Sequence, residues 1–315
     1  MSLGGVLCSG NIVFDTLVRP FEQPAWGTTQ YVESMESHVG GNGANTARAI
    51  AILGTPVRLL GALGEDTQAE FILTQLRHAG VDTSFTVRVA APTPATVVLV
   101  KRDGDRQFLH RPGASTLAFE YPIAFTRELC AGMSHYHLAS LFVLPNMRHH
   151  GAETLRRAQA AGFTTSLDTN WDPAGEWMKV LRPCLQYLDI LFMNEDEARM
   201  ITGSTDAAES AKMVLNEGVK TSVMKLGARG CAIYSSGDET RCPAFDVDVK
   251  DTTGAGDCFA AGFLVARHRG ADLAQAARFA NAVAALSVQK LGAGSGVLSF
   301  AKTEAWMHNA PVKRW

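Results

Sequence analysis

Short apolar runs alternate with longer amphipathic or alanine-rich stretches along nearly the whole chain. Residues 6–13, 57–62, 135–139, 164–168, 189–193 and 221–226 are apolar and β-prone and read as buried strands. Between them, 42–53 reads as a helix of small residues stopped by Gly54. Asp66 caps a helix that carries Phe71, Ile72 and Leu76 inward and ends at Gly80. Further helices fall at 151–161, 195–201 and 206–217, and two alanine-rich ones at 255–267 and 273–289. Strand and helix in alternation predict an α/β fold, a mainly parallel sheet flanked by helices. Two segments depart from the alternation. Residues 28–38 read as a strand or hairpin arm, and 95–100 with 106–111 read as a hairpin closed by Asp103-Gly104-Asp105. Antiparallel strands inserted in such a chain build something apart from the main sheet. No fixed-period repeat or low-complexity linker divides the chain, so 1–315 reads as one α/β unit.

Composition narrows the class. With 315 residues, 46% of them hydrophobic, the chain can bury a sizeable core. A net charge of −2 gives no electrostatic footprint for nucleic acid or an acidic membrane surface. The six cysteines are dispersed with no Cys-x-x-Cys pair, which points to reduced thiols rather than zinc or a disulfide framework. No apolar run reaches membrane-spanning length, and the apolar N-terminus lacks the basic region of a signal peptide. A cytoplasmic enzyme acting on small molecules is the expectation.

The most informative stretch is 251–263, Asp-Thr-Thr-Gly-Ala-Gly-Asp-Cys-Phe-Ala-Ala-Gly-Phe. A β-prone segment, 244–250, runs into it and a helix leaves it, so Gly254, Ala255 and Gly256 sit where the helix begins. Small residues there let backbone approach a ligand, and the first N–H groups of a helix point outward at its positive end. That is an anion site. Asp257 lies in the same first turn, where a carboxylate makes sense as a base. It would take a proton from a hydroxyl while the N–H groups hold the phosphoryl group that the hydroxyl attacks. The plainer alternative is a charged residue favouring a helix N-terminus.

This stretch resembles the C-terminal signature of the ribokinase-like (PfkB-type) carbohydrate kinases, Asp-Thr-x-Gly-Ala-Gly-Asp. Gly40-Gly41-Asn42-Gly43-Ala44-Asn45-Thr46-Ala47 resembles the N-terminal signature of the same family. The resemblance implies ATP-dependent phosphorylation of a sugar under a small β-sheet lid, built from about 14–38 and 93–114. A lid keeps water from competing for the γ-phosphoryl group. Asp257 would be the catalytic base, with Gly254, Ala255 and Gly256 as the anion hole. Asp15, Gly41, Asn42 and Asn45 would hold the sugar, Asn42 standing where ribokinase has lysine and offering an amide to a neutral polyol. Arg111, at the end of the hairpin, keeps an anionic sugar open.

Other elements follow the resemblance. Gly227 and Gly230, in Lys225-Leu226-Gly227-Ala228-Arg229-Gly230, match the nucleotide-binding strand end, with Lys225 in place of threonine as a point charge for phosphate. Asn281 would lie near the adenine. Asn194 and Glu197 match the element that organises Mg²⁺ through water, although the same pair spells a helix capping box. Asp251, Thr253 and Gly292 match a monovalent-cation site, which brings in a K⁺ requirement. Asp168-Thr169-Asn170 resembles an Asp-x-Asn element of the fructokinase and ketodeoxygluconate-kinase branches, facing the sugar or nucleotide mouth or only forming a turn. Lid edges pair in this family, which implies a homodimer.

Rival classes fit less well. The dinucleotide fingerprint fails because Phe259 stands where its third glycine belongs, and no Gly-Lys pair exists for a Walker element. His135 with His137, and His149 with His150, lack a zinc-site spacing. The substrate stays open among ribose or fructose types, a 2-keto-3-deoxy sugar acid and a nucleoside. A non-catalytic binding protein would be expected to have lost Asp257 or one of its glycines.

Overall fold

Residues 4–102, 105–235 and 237–314 are described by the computed structural model. Among them the strands run β1 (Gly5–Ser9), β2 (Val13–Arg19), β3 (Ser34–Gly40), β4 (Val57–Leu63), β5 (Thr86–Arg88), β6 (Ala95–Val100), β7 (Arg106–Arg111), β8 (Met133–Leu138), β9 (Thr164–Asp168), β10 (Ile190–Asn194), β11 (Thr221–Lys225), β12 (Cys231–Ser235) and β13 (Asp238–Cys242). The main sheet has the order β13-β12-β11-β10-β9-β8-β1-β4-β5. It is parallel from β11 to β5, and β12 and β13 add antiparallel strands at one edge.

Both faces of this sheet are covered, which is why its central strands are continuous apolar runs rather than alternating ones. One face packs the helices Asn42–Ile52, Thr67–His78, Ala255–His268 and Leu273–Ser287. The other packs Pro145–Ala160, Met178–Leu185, Glu195–Thr202 and Ala207–Asn216. The alanine-rich helices approach closely: a Cβ on Gly262 would stand 2.9 Å from Val283 Cγ2 and 3.0 Å from Ala280 Cα. Chain order reverses at β1, between β8 and β4. In open parallel sheets ligands bind at the carboxyl ends of strands beside such a switch point.

The segments expected to form a lid make a separate, smaller sheet of order β3-β2-β6-β7, called the lid below. Here β2 and β6 are parallel, and the other neighbours are antiparallel. The hairpin arms fall where the pattern puts them, while Asp103 and Gly104 of the expected turn lie outside the described residues. Several boundaries differ from expectation. The first run, 6–13, is two elements, because the chain leaves the main sheet at Ser9 and enters the lid at Val13. Of the expected arm 28–38, only the part from Ser34 is strand. Residues 244–250 are not a strand of either sheet; Phe245 makes an isolated bridge with Val312, and the N–H groups of Lys250 and Asp251 donate to Val288 O. No helix among the described residues is long and apolar enough to cross a membrane.

Candidate active site

Asp257 lies at the meeting of the two glycine-rich motifs. The helix Ala255–His268 starts after Gly254, which has φ 71°. A Cβ there would come within 2.9 Å of the Ala293 side chain and 3.3 Å of Asn45 Nδ2, so space and conformation both call for glycine. Opposite, Gly41 (φ 89°) opens the helix Asn42–Ile52. Asn42 and Asn45 are three residues apart on that helix and share a face. Asn42 Nδ2 donates to Asp257 Oδ1 and Asn45 Nδ2 to Asp257 Oδ2, both at 2.9 Å. Asp257 is 5% exposed. Burial raises its pKa above the usual carboxylate range; the two amides and Lys225 pull the other way, and Glu197 adds to the rise. The two amides hold both carboxyl oxygens in a fixed orientation, the arrangement a general base requires.

Beside it, Gly256 and Asp257 keep the outward N–H groups of a first helical turn. The Ala255 N–H, expected in the anion hole, instead closes a turn on Thr252 O at 3.2 Å. Lys225, at the end of β11, lies half-buried against this turn: a Cβ on Gly256 would stand 3.3 Å from Lys225 Nζ. That ammonium donates to both oxygens of Asp168 at 2.7 Å. The sequence offered Asp168 a place at the sugar or nucleotide mouth or in a turn; it anchors this lysine. Burial disfavours the charge on Lys225, but Asp168, Glu197 and Asp257 together outweigh it and keep the amine protonated. Burial pushes the Asp168 carboxyl up, Lys225 opposes, and Glu197 adds to the rise.

Asn194 and Glu197, expected to organise Mg²⁺, form a helix capping box. Asn194 Oδ1 accepts from Glu197 N, and Asn194 N donates to Glu197 Oε2, each at 2.8 Å. Thr169 Oγ1 also donates to Oε2, at 2.9 Å. All three bonds leave Glu197 Oε1 clear of the cap. Among the described residues no group of three His, Cys, Asp or Glu side chains is placed to cage a metal. This donor set suits a hydrated Mg²⁺ held through water, which takes few protein ligands.

A cavity of about 270 Å³ opens beyond the anion hole. Gly227, Gly230, Phe245, Val249, Asn281 and Ala285 are among its walls. Its depth is apolar because 244–250 leaves the sheet and turns its valines inward. Gly230 (φ 106°) is needed there, since a Cβ would overlap Cys242 O at 2.1 Å. Asn281 donates its amide to Cys242 O and Pro243 O, at 3.0 and 3.1 Å, and so braces the wall.

A smaller cavity, about 40 Å³, lies under the lid and is lined by Asp15, His38, Val98, Arg106, Lys250 and Asp251, among others. Burial raises the Asp15 carboxyl to about 6, against a hydrogen bond from Thr96. A Cβ on Gly40 would fall 1.9 Å from Asp15 Oδ2, so the glycine pair makes room for this carboxylate. Arg111 is not brought here. Its Nη2 donates to Gln68 Oε1 at 3.2 Å and to Thr93 O at 3.0 Å. The strand's period of two explains the difference, because Arg106 and Arg111 lie on opposite faces of β7. Counting that alternation along 106–111 would have put Arg106 and Arg111 on opposite faces and so offered Arg106, which sequence reasoning missed, as the alternative to Arg111.

Asp251, Thr253 and Gly292 do come together, around a different cation. Arg106 Nη1 lies 2.8 Å from Asp251 Oδ1 and 2.7 Å from Thr253 Oγ1. Asp251 also accepts from Thr253 N and Gly292 N at 2.8 Å. The carboxylate is buried; those hydrogen bonds and Arg106 outweigh the burial and hold its pKa below the usual range. A K⁺ on the same oxygen would sit about 4 Å from the guanidinium and be repelled by roughly 4 kcal/mol at an effective dielectric of about 20. The expected monovalent-cation site therefore does not fit a free K⁺ while Arg106 is in place.

A family model described as pfkB family carbohydrate kinase matches residues 8–299. The chain is 29% identical over 301 residues to the ribokinase of Staphylococcus aureus, covering 93% of this chain and 95% of that one. It is 29% identical over 292 residues to the ATP-dependent ribose-1-phosphate kinase of Halopiger xanaduensis, covering 92% and 94%. The solved structure of Arabidopsis thaliana ribokinase complexed with ribose and ATP matches with a TM-score of 0.85 at 26% identity, covering 96% of this chain and 98% of that chain.

Proposed function

The chain belongs to the pfkB family of carbohydrate kinases, and from that premise we propose that it transfers the γ-phosphoryl group of ATP to a hydroxyl of a neutral monosaccharide of the ribose or fructose type. The observation that carries this reading is Asp257, buried, gripped by two asparagine amides and in the same first turn as the outward helix N–H groups. The sugar lies beneath the lid between Asp15, which accepts from its hydroxyls, and Gly41, Asn42 and Asn45 beside Asp257. ATP lies along the larger cavity past Gly227 and Gly230, with Asn281 behind the adenine and Lys225 beside the phosphates. Asp257 takes the proton of the attacking hydroxyl. The oxygen then displaces ADP in line while the N–H groups of Gly256 and Asp257 hold the charge of the transferred group. Glu197 and Asn194 would hold the water shell of Mg²⁺, which supplies charge neutralisation at the phosphates when bound.

A neutral sugar is favoured because the guanidinium groups at the lid cavity are already paired, Arg19 with Glu36 and Arg106 with Asp251. An acidic or phosphorylated sugar would have to draw on Lys250, which lines the same cavity. The test is ATP consumption with Mg²⁺ across pentoses, hexoses, sugar acids, phosphosugars and nucleosides. Turnover of a neutral sugar is expected, and Asp257→Asn should lower kcat by about 10²–10⁴ with ATP affinity retained. Unchanged turnover in that variant removes Asp257 from the base role.

A further inference from the structure

The lid delivers a charge to the loop that opens the anion hole. Arg106 is the first residue of β7, and its side chain is 17% exposed against 3% for Asp251. Asp251 ties together three segments that are far apart in sequence: the lid through Arg106, the lead-in to the anion hole through Thr253 N, and the loop after the helix Leu273–Ser287 through Gly292 N. Thr253, which Arg106 also contacts, immediately precedes Gly254. A carboxylate this buried is costly without a cation, because the charge would be left uncompensated.

We propose that Arg106 is a tethered cation that takes the place of a free monovalent ion at Asp251, and that it does so only with the lid down. Lid closure over the sugar and neutralisation of the loop leading into Gly254–Gly256 are then one event. An enzyme built this way needs no free K⁺. It also sets its anion-hole loop only when a substrate holds the lid closed, which limits transfer to water. Arg106 acts through Asp251 rather than on the reacting atoms, so it is a positioning residue. The claim about turnover rests on the kinase reading above, whereas the claim about the cation does not.

The test is therefore run in two parts on the full chain, comparing wild type with Arg106→Gln in KCl and in tetramethylammonium chloride at equal ionic strength. The first part is thermal unfolding without substrate. The wild-type Tm should be the same in both salts. The variant should be less stable in tetramethylammonium and gain about 2 °C from K⁺ at ten times its dissociation constant, since the vacated carboxylate then binds the ion. A wild-type protein stabilised by K⁺ as much as the variant, or a variant that gains nothing from K⁺, overturns the proposal. The second part is turnover of the sugar found in the panel. Wild-type kcat should be indifferent to the salt, and the variant should be slow in tetramethylammonium and recover with K⁺ or guanidinium ion. A wild-type requirement for K⁺ overturns the proposal. Should no sugar turn over, the kinase reading fails while the unfolding comparison still decides the cation. Should Arg106→Gln not fold, the wild-type comparison and the milder Arg106→Lys, which keeps the charge and should remain insensitive to K⁺, decide it.

Discussion

Removing one of the two amides that grip Asp257 should move the acid limb of the rate profile rather than abolish the rate. Asn45 Nδ2 donates to Asp257 Oδ2 at 2.9 Å, both side chains being almost fully buried. A hydrogen bond to a charged group is worth about 1.5–3 kcal/mol, and it favours only the ionised carboxyl. At about 1.4 kcal/mol per pH unit, its loss would raise the pKa of Asp257 by about 1–2 units. Asn42 still holds Oδ1 and water can enter the space, so the lower end is expected, about one unit. The sign follows from the chemistry: the base works ionised, so a higher pKa keeps it protonated to higher pH. Asn45→Ala should therefore turn over about tenfold more slowly than wild type below the limb and approach it above. The assay is kcat against pH with saturating ATP and sugar, beside Asn42→Ala as the matching change at the other oxygen. A uniform loss at every pH, with the limb unmoved, would refute the argument. It would mean that Asn45 only holds the sugar or the helix in place.

Two further expectations test the core and the nucleotide cavity. Burial keeps His135 and His137 neutral in the folded protein, with pKa lowered to about 4 and about 3. An unfolded chain takes up these two protons below about 6.5, so the pair costs stability as pH falls, about 4 kcal/mol by pH 5. Asp15, whose pKa is raised to about 6, binds a proton in the folded state over the same range and offsets part of that loss. The double variant His135→Gln/His137→Gln should thus gain stability from pH 7 to pH 5 relative to wild type by about that amount in urea unfolding, and parallel pH curves would count against it. Ala285→Trp, which fills part of the cavity of about 270 Å³, should raise the KM for ATP about tenfold or more while leaving that for sugar nearly unchanged; equal rises would misplace the nucleotide.

What the sequence made legible follows from how local each signal is. The helices at 42–53 and 255–267 were readable because small residues, glycine punctuation and an apolar run coincide within one segment. The edge strand Asp238–Cys242 was not, since Asp-Glu-Thr-Arg-Cys carries no apolar pattern and is strand only because β12 offers it a partner. The misreading of 244–250 is more instructive. Phe245, Val247 and Val249 alternate as a half-buried strand would, but they line the cavity of about 270 Å³, so period-two patterning reported a cavity wall rather than a sheet face. The sequence singled out Arg111 and passed over Arg106 on the same arm, and their registry on β7 separates the residue that reaches Asp251 from the one that does not. The two signatures showed which residues matter but not how they meet. The amide pair on Asp257 and the guanidinium on Asp251 each join parts of the chain that no window contains. Those contacts set the environment of the Asp257 carboxyl and bring a charge of the smaller sheet to the loop before Gly254. The residue types of this site are thus local facts, while its electrostatics depend on the fold that brings distant segments together.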